Sequence, residues 1–460
     1  MNPKTFASLN LPIDLMKSLH QLGYESMTPI QALSLPTILD GKDVIAQAKT
    51  GSGKTATFGI GILSQLDTQS HHVQALVLCP TRELADQVTQ EIRKLARMIP
   101  NIRVLTLCGG VPISVHAASL ERTVHIVVGT PGRVEDLLHQ KILKMDQLKL
   151  LVLDEADRML DMGFSDSIDA IMSKLPKIRQ TLLLSATFSE KIQTIAERVM
   201  NKPIKVEVDT THDETSIAQS FYQVTHNDQR IQALQLLLLH ARPESALIFC
   251  NTKRETDILT TILKNDGFSA LALHGDFEQK ERREILVQFA NKSISILVAT
   301  DVAARGLDIP DVDAIFNYEM PRDPEVYIHR IGRTGRAGKS GNAYSMITHF
   351  DNQTMKQIES MMGQSMVTSP LPSQDRPNQT TYSAPMITLK IHGGKSEKIR
   401  PGDIVGALTG ELGILGSEIG DITIFDRCAY VAVQRKVADA AFKKLNEGKL
   451  KGRSFQVWRL

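Results

Sequence analysis

The stretch "DVIAQAKTGSGKT", Asp43 to Thr55, joins a short apolar run to a glycine-bearing turn that opens a helical pattern. Its reading decides the fold. In an open α/β sheet, ligands sit beyond the carboxyl ends of the strands, and a turn of this kind can cradle phosphate there. The glycines let backbone N–H groups close on phosphate oxygens, Lys54 can reach the outer phosphates, and the Thr55 hydroxyl can ligate Mg²⁺. Ala48, Thr50, Gly51, Ser52, Gly53, Lys54 and Thr55 are therefore expected to hold nucleotide phosphates. The generic loop begins with glycine, where this chain has Ala48.

Outward from that stretch, the same pattern recurs. In the first half, "ALVLCP", "VLTLCGG", "HIVVGTPGR", "LLVLDEAD" and "TLLLSAT" each end in a polar turn, usually before a helical stretch. In the second half, "ALIFCNT", "ALALHGD", "ISILVATD", "AIFNYEMP" and "AYSMITH" do the same. Such runs alternating with helices predict buried parallel strands in βαβ units, hence two doubly wound domains. The polar segment "VDTTHDETSIAQ", 208–219, should separate them, giving domains at 1–208 and 217–366. A Pro-, Ser- and Asn-rich linker, 367–385, precedes a smaller module at 386–460.

Composition fits this plan. The chain has 460 residues, 42% hydrophobic and 23% charged, as in ordinary globular proteins. That length suits about three domains. The formal net charge is only +2, but residues 386–460 carry 13 Lys and Arg against 8 Asp and Glu, a net of +5. Cys79, Cys108, Cys250 and Cys428 are scattered without metal or redox spacing and read as core residues in a reducing compartment. The N-terminal residues show no signal pattern, and no apolar run reaches membrane-spanning length, so a cytoplasmic protein without a membrane partner is expected.

"LLVLDEAD" supplies carboxylates at a strand end. Beside a phosphate loop, Asp154 can hold Mg²⁺ through water, and Glu155 can orient or deprotonate an attacking water. Alone, acidic residues there would read as helix caps.

Together these residues resemble the DEAD-box RNA helicases, whose name spells Asp154–Glu155–Ala156–Asp157. The resemblance extends over residues 6 to 350 through "GYESMTPIQ", "PTRELADQ", "TPGR", "SAT", "HGDFEQKER", "VATDVAARGLDI" and "HRIGRTGR". It implies two tandem RecA-like domains that use ATP and Mg²⁺ to act on RNA. It also implies that Gln31 reads the adenine edge, Tyr24 stacks on its ring and Phe6 supports that pocket. An amide carries both a donor and an acceptor, as adenine recognition needs.

"HRIGRTGRAG", His329 to Gly338, places Arg330, Arg333 and Arg336 at three-residue intervals, so a partner rich in negative charge must come from elsewhere in the fold or from a ligand. By resemblance, Arg333 and Arg336 neutralise charge on the transferring phosphoryl group when the domains close on ATP, with Asp308 near the nucleotide. Such fingers are worth ~10³–10⁵ in rate.

RNA contacts implied by the resemblance are Thr81, Arg82, Gly109, Gly110 and Thr130 to Arg133 in the first domain. In the second they are Gly275, Gln279, Arg282, Thr300 and Asp301. Small and polar residues suit phosphates and 2′-hydroxyls rather than base edges. Ser185 and Thr187 of "SAT" should couple nucleotide state to strand separation.

The tail's βαββαβ order resembles an RNA recognition motif, an α+β fold. Aligning "DRCAYVAV" on that motif's signature strand leaves Tyr430 but puts Cys428 and Val433 where aromatics usually stack on bases. Basic residues such as Lys395, Lys398, Arg400 and Arg427, with Lys449, Lys451 and Arg453, are better candidates. Within the family the chain resembles members whose tail recognises a hairpin of large-subunit (23S) ribosomal RNA. That implies a monomeric helicase acting on pre-50S particles; an ATP-gated RNA clamp that opens no duplex would use the same site residues.

Overall fold

The computed structural model describes the whole chain except residues 1–4, 49–50, 209–216, 305–311, 336–339, 373–380 and 411–412. Contacts divide it into two compact units that meet in sequence at residues 211 and 212.

The first unit is built on seven parallel strands: β1 (Val44–Gln47), β2 (Ala75–Leu78), β3 (Val104–Leu107), β4 (Ile126–Gly129), β5 (Leu150–Leu153), β6 (Gln180–Ser185) and β7 (Ile204–Glu207). Their order is β3-β4-β2-β5-β6-β1-β7. Strands β2, β4 and β5 are buried at every position because helices cover both faces, which explains their uninterrupted apolar runs. One apolar cluster joins Val77 and Val152 to Phe58 and Ile92, and another joins Leu76 and Leu151 to Ile168 and Ile195. Connections after β1 and β2 run one way across the sheet and those after β5 and β6 the other, so the carboxyl ends of these central strands border the crevice where ligands bind in such sheets.

The second unit holds a six-stranded parallel sheet: β8 (Ile217–Gln223), β9 (Ala246–Cys250), β10 (Ala270–Leu273), β11 (Ile296–Thr300), β12 (Ala314–Asn317) and β13 (Gly341–Ile347), in the order β10-β11-β9-β12-β13-β8. The polar stretch 208–219 therefore runs into a strand. Ile217–Gln219 open β8, an edge strand that pairs with β13 and, through Phe221, bridges Thr368. Like β7 at the other sheet's edge, it buries too little to need an apolar run.

The tail belongs to this second unit. Its four antiparallel strands are β14 (Met386–Ile391), β15 (Ile419–Ile424), β16 (Ala429–Gln434) and β17 (Val457–Arg459), in the order β15-β16-β14-β17. Helices Pro401–Thr409 and Ala438–Glu447 complete the βαββαβ order and pack on one face through Leu389, Val431, Ile404 and Ala441. The opposite face is docked. Thr388 accepts from Asn291 Nδ2 at 3.0 Å and meets Ser293 Oγ at 2.6 Å, all three buried. Lys390 pairs with Glu284, Tyr430 donates to Glu284 at 3.3 Å, and the Arg283 guanidinium lies 4.8 Å from the Phe425 ring centre. The linker's described end is packed as well, with Tyr382 edge-on to Phe268 at 5.9 Å.

Three cysteines are buried in the parallel-sheet domains, while Cys428 is half-buried and its thiol lies 3.6 Å from the Tyr430 hydroxyl. Among the described residues, no helix is long and apolar enough to cross a membrane.

Candidate nucleotide and RNA site

The loop after β1 leads into helix Lys54–Gln65 through Gly51 and Gly53, whose φ values of 86° and 96° only glycine adopts without strain. A Cβ at Gly53 would meet Gln31 Nε2 at 2.8 Å, so glycine also permits that close approach. Lys54 is buried and donates to the Ala48 carbonyl, while the Ala48 N–H donates to the Ser185 carbonyl at 3.1 Å. The buried hydroxyls of Ser52 and Ser185 have no hydrogen-bond partner among the described residues. Orphaned donors beside a left-handed glycine turn fit phosphate oxygens. Thr50 lies outside the described residues.

Asp154 and Glu155 follow β5 directly. Burial, reinforced by Glu155 and opposed by Lys54, pushes the Asp154 carboxyl up to about 7. Burial likewise lowers Lys54, against the pull of Asp154 and Glu155. Each buried charge lacks full compensation, and a phosphate–Mg²⁺ pair would supply both missing partners, so Asp154 fits a metal-holding role, while Thr55 lies in the first turn of the helix that follows the loop. Glu155 sits at φ 51°, ψ 52°, a left-handed conformation unusual for a residue with a side chain. Arg158 holds its carboxylate at 2.8 Å.

Gln31 is buried in the capping box of helix Pro29–Leu39. Its Oε1 accepts from Thr28 N at 2.9 Å and its Nε2 donates to the Gly53 carbonyl at 3.4 Å, so the amide couples this helix to the phosphate loop. Phe6 lies edge-on to Tyr24 at 5.9 Å, and Tyr24 donates to Glu91 at 3.1 Å. Of the three residues expected around adenine, Gln31 touches the phosphate loop, while Phe6 and Tyr24 pack on each other.

Sequence reading gave Asp157 no separate role. Its Oδ2 accepts from Ala186 N at 3.0 Å and from Thr187 N at 3.2 Å, tying the acidic turn to "SAT". The available signal was its place in the first turn of helix Ala156–Asp161, next to Arg158, which turns back onto Glu155.

The first-domain RNA candidates converge. Arg82 lies across Gly109 and Gly110, where a Cβ at either would strike its guanidinium. Arg133 donates to the Val111 carbonyl at 2.6 Å and contacts His116 Nδ1 at 2.8 Å. Thr81 and Thr130 cap helices Arg82–Leu95 and Pro131–His139, so two positive helix ends share this surface and favour phosphate.

In the second unit, Gly275 is exposed, Gln279 begins helix Gln279–Ala290, and Arg282 donates to the His274 and Ala303 carbonyls at 3.3 and 3.4 Å. Thr300 is buried at the end of β11. Asp301 is engaged within the fold, since both its oxygens accept from Arg330 at 2.7 Å. Arg330 is only 1% exposed and also bonds Asn317, Asn251 and the Glu319 carbonyl. One of the three clustered arginines thus finds its negative partner inside the fold. Arg333 is buried nearby in sequence, and Asp308 and Arg336 lie outside the described residues.

Tyr430 requires a correction. Expected as an RNA contact, it is 1% exposed and bonded to Glu284, because the sheet face that would offer it is docked. Lys395, Lys398, Arg400 and Arg427 are exposed at one end of the tail. The Lys395 N–H donates to the Phe425 carbonyl at 2.9 Å, and Lys451 bridges the Lys398 carbonyl and Asp403 at 2.6 and 3.0 Å.

This arrangement is matched by known proteins. The DEAD/DEAH box helicase family matches residues 28–195, the helicase conserved C-terminal domain 229–338, and the DbpA RNA binding domain 388–459. The chain belongs to the DEAD-box ATP-dependent RNA helicases. It is 49% identical to the ATP-dependent RNA helicase DbpA of Escherichia coli over 98% of both chains. It is 44% identical to the DEAD-box ATP-dependent RNA helicase CshA of Geobacillus kaustophilus over 78% of each chain. Among solved structures, S. cerevisiae Dbp5 bound to RNA and ADP BeF3 matches at 30% identity with a TM-score of 0.72, over 81% of this chain and 97% of that one.

Proposed function

We propose that this helicase unwinds short RNA duplexes during assembly of the large ribosomal subunit, brought to a hairpin of 23S ribosomal RNA by its tail. The observation that carries the proposal is that Lys395, Lys398, Arg400 and Arg427 are all exposed at one end of the tail. It is supported by a likeness to the Escherichia coli helicase that continues through the tail. The first domain's candidate RNA contacts would grip backbone without sequence preference, so selection falls to the tail.

ATP and Mg²⁺ would supply the free energy and the charge neutralisation for phosphoryl transfer. Lys54 and the backbone N–H groups of Gly51–Lys54 would orient the phosphates, while Thr55 and Asp154 would hold the metal. Glu155, fixed by Arg158, would accept a proton from the attacking water. Arg333 and Arg336 would offset charge at the transferring group. The Asp157 link to Ala186 and Thr187 would pass the state of the acidic turn to the rest of the chain. Monomeric action in the cytoplasm is part of the same reading.

The test is strand displacement by the full chain, comparing a duplex beside a 23S hairpin with one beside an unrelated hairpin. The expected result is ATP-dependent displacement favouring the 23S substrate, with the preference lost when Lys395, Lys398 and Arg427 are all changed to Ala. Equal action on both substrates removes ribosomal targeting. Stable RNA retention with a nonhydrolysable nucleotide but no displacement favours the clamp.

A further inference from the structure

Docking against the parallel-sheet domain covers most of the tail sheet's open face but leaves one strip. Strand pairing sets Lys390 opposite Trp458, and the His392 N–H donates to the Gln456 carbonyl at 2.9 Å, so these four side chains share that face. Lys390 is tied to Glu284, whereas His392, Gln456 and Trp458 are all exposed. Trp458 is the chain's single tryptophan. It takes no part in the apolar cluster on the sheet's other face, where its neighbour Val457 packs. Its ring lies 5.8 Å from His392 and 5.8 Å from the Lys390 ammonium, a placement that restrains the indole without burying it. The strip runs toward the loop carrying Lys395 and Lys398.

We propose that His392, Gln456 and Trp458 form a binding site for one unpaired nucleobase of the RNA held by the tail. Trp458 supplies the stacking surface, the Gln456 amide offers both donor and acceptor to the base edge, and the adjoining lysines take the flanking phosphates. The inference rests on the tail being the RNA-selecting module. It moves base recognition from the covered central strands to the edge strand β17.

Because Trp458 is the only indole, fluorescence of the full chain excited beyond tyrosine absorption reports on this site alone. The probe is a set of 23S ribosomal RNA fragments, each with unpaired loop bases, with binding measured independently by retention of end-labelled RNA. The expected result is quenching that saturates with binding. Trp458→Ala should weaken affinity by roughly 5- to 100-fold, the range of one base–aromatic stack. Trp458→Phe should keep most of it, and RNA-independent ATPase should not change in either variant. Normal binding without quenching, or normal binding by Trp458→Ala, overturns the site. Equal loss in the Phe and Ala variants also overturns it, since phenylalanine still stacks. If changing Lys395, Lys398 and Arg427 together to Ala leaves affinity untouched, the tail reading itself has failed, and the base site falls with it.

Discussion

Asp157 grips Thr187 twice, through its backbone N–H at 3.2 Å and its hydroxyl at 3.5 Å, and takes the Ala186 N–H with the same oxygen. Two strand ends of one sheet are thereby locked through a single carboxylate. Asp157→Ala leaves these partly buried donors unsatisfied and should cost roughly 2–4 kcal/mol in urea unfolding. Strand displacement should fall further than ATP binding. A variant with parental stability and displacement would remove the coupling role.

Lys54→Ala removes a buried cation from the phosphate loop and should abolish turnover by weakening ATP binding. Glu155→Gln keeps the shape of the side chain but loses the carboxylate proposed as the base. It should bind ATP normally and hydrolyse almost none, as nucleotide binding and phosphate release measured side by side would show.

Arg330 and Arg333 should fail in different ways. Arg330→Ala strands Asp301 without its buried partner, so a stability loss of ~3–5 kcal/mol is expected. Lysine should restore little, because one ammonium cannot span Asp301 together with Asn317, Asn251 and the Glu319 carbonyl as the planar fork does. Arg333→Ala should instead reduce hydrolysis by ~10³, well beyond any loss of stability it brings. Melting curves and RNA-stimulated ATPase on both variants check this.

Asp154 makes the site pH-dependent. With its carboxyl pushed up to about 7, the folded chain holds this proton more tightly than the unfolded chain does. Its contribution to stability should therefore fall as pH rises from the ordinary carboxylate range through about 7 and level off above. Under the proposed metal role of Asp154, metal affinity should run the opposite way, since only an ionised carboxyl binds a cation. At fixed Mg²⁺, ATP affinity should tighten by about tenfold from pH 6 to pH 8 beyond the change seen in Asp154→Asn. Equal pH dependence in both proteins would remove Asp154 from metal binding.

The tail's docking is testable by charge exchange. Lys390→Glu should place two carboxylates together and release the tail from Glu284. Combining it with Glu284→Lys should restore docking, with a coupling energy of roughly 0.5–3 kcal/mol in a double-mutant cycle. Cleavage of the 367–385 linker by protease reports the docked state.

The order of residues alone specifies both parallel sheets, because strands buried on two faces must be apolar throughout and β2, β4, β5 and β9 are. It also determined the phosphate loop and the acidic turn, since glycine torsions and strand-end carboxylates are local requirements. Edge strands β7 and β8 left no such mark, being half solvated. Only tertiary structure decided which charges meet. Arg330 and Asp301 lie 29 residues apart, and Lys390 and Glu284 lie 106 apart, so nothing in their local sequence shows the pairing. For the same reason Tyr430 reads as an open stacking residue in its own strand and becomes a buried one once Glu284 covers it. Local chemistry fixes backbone shape, but the partner of a long polar side chain is set by which surfaces pack together.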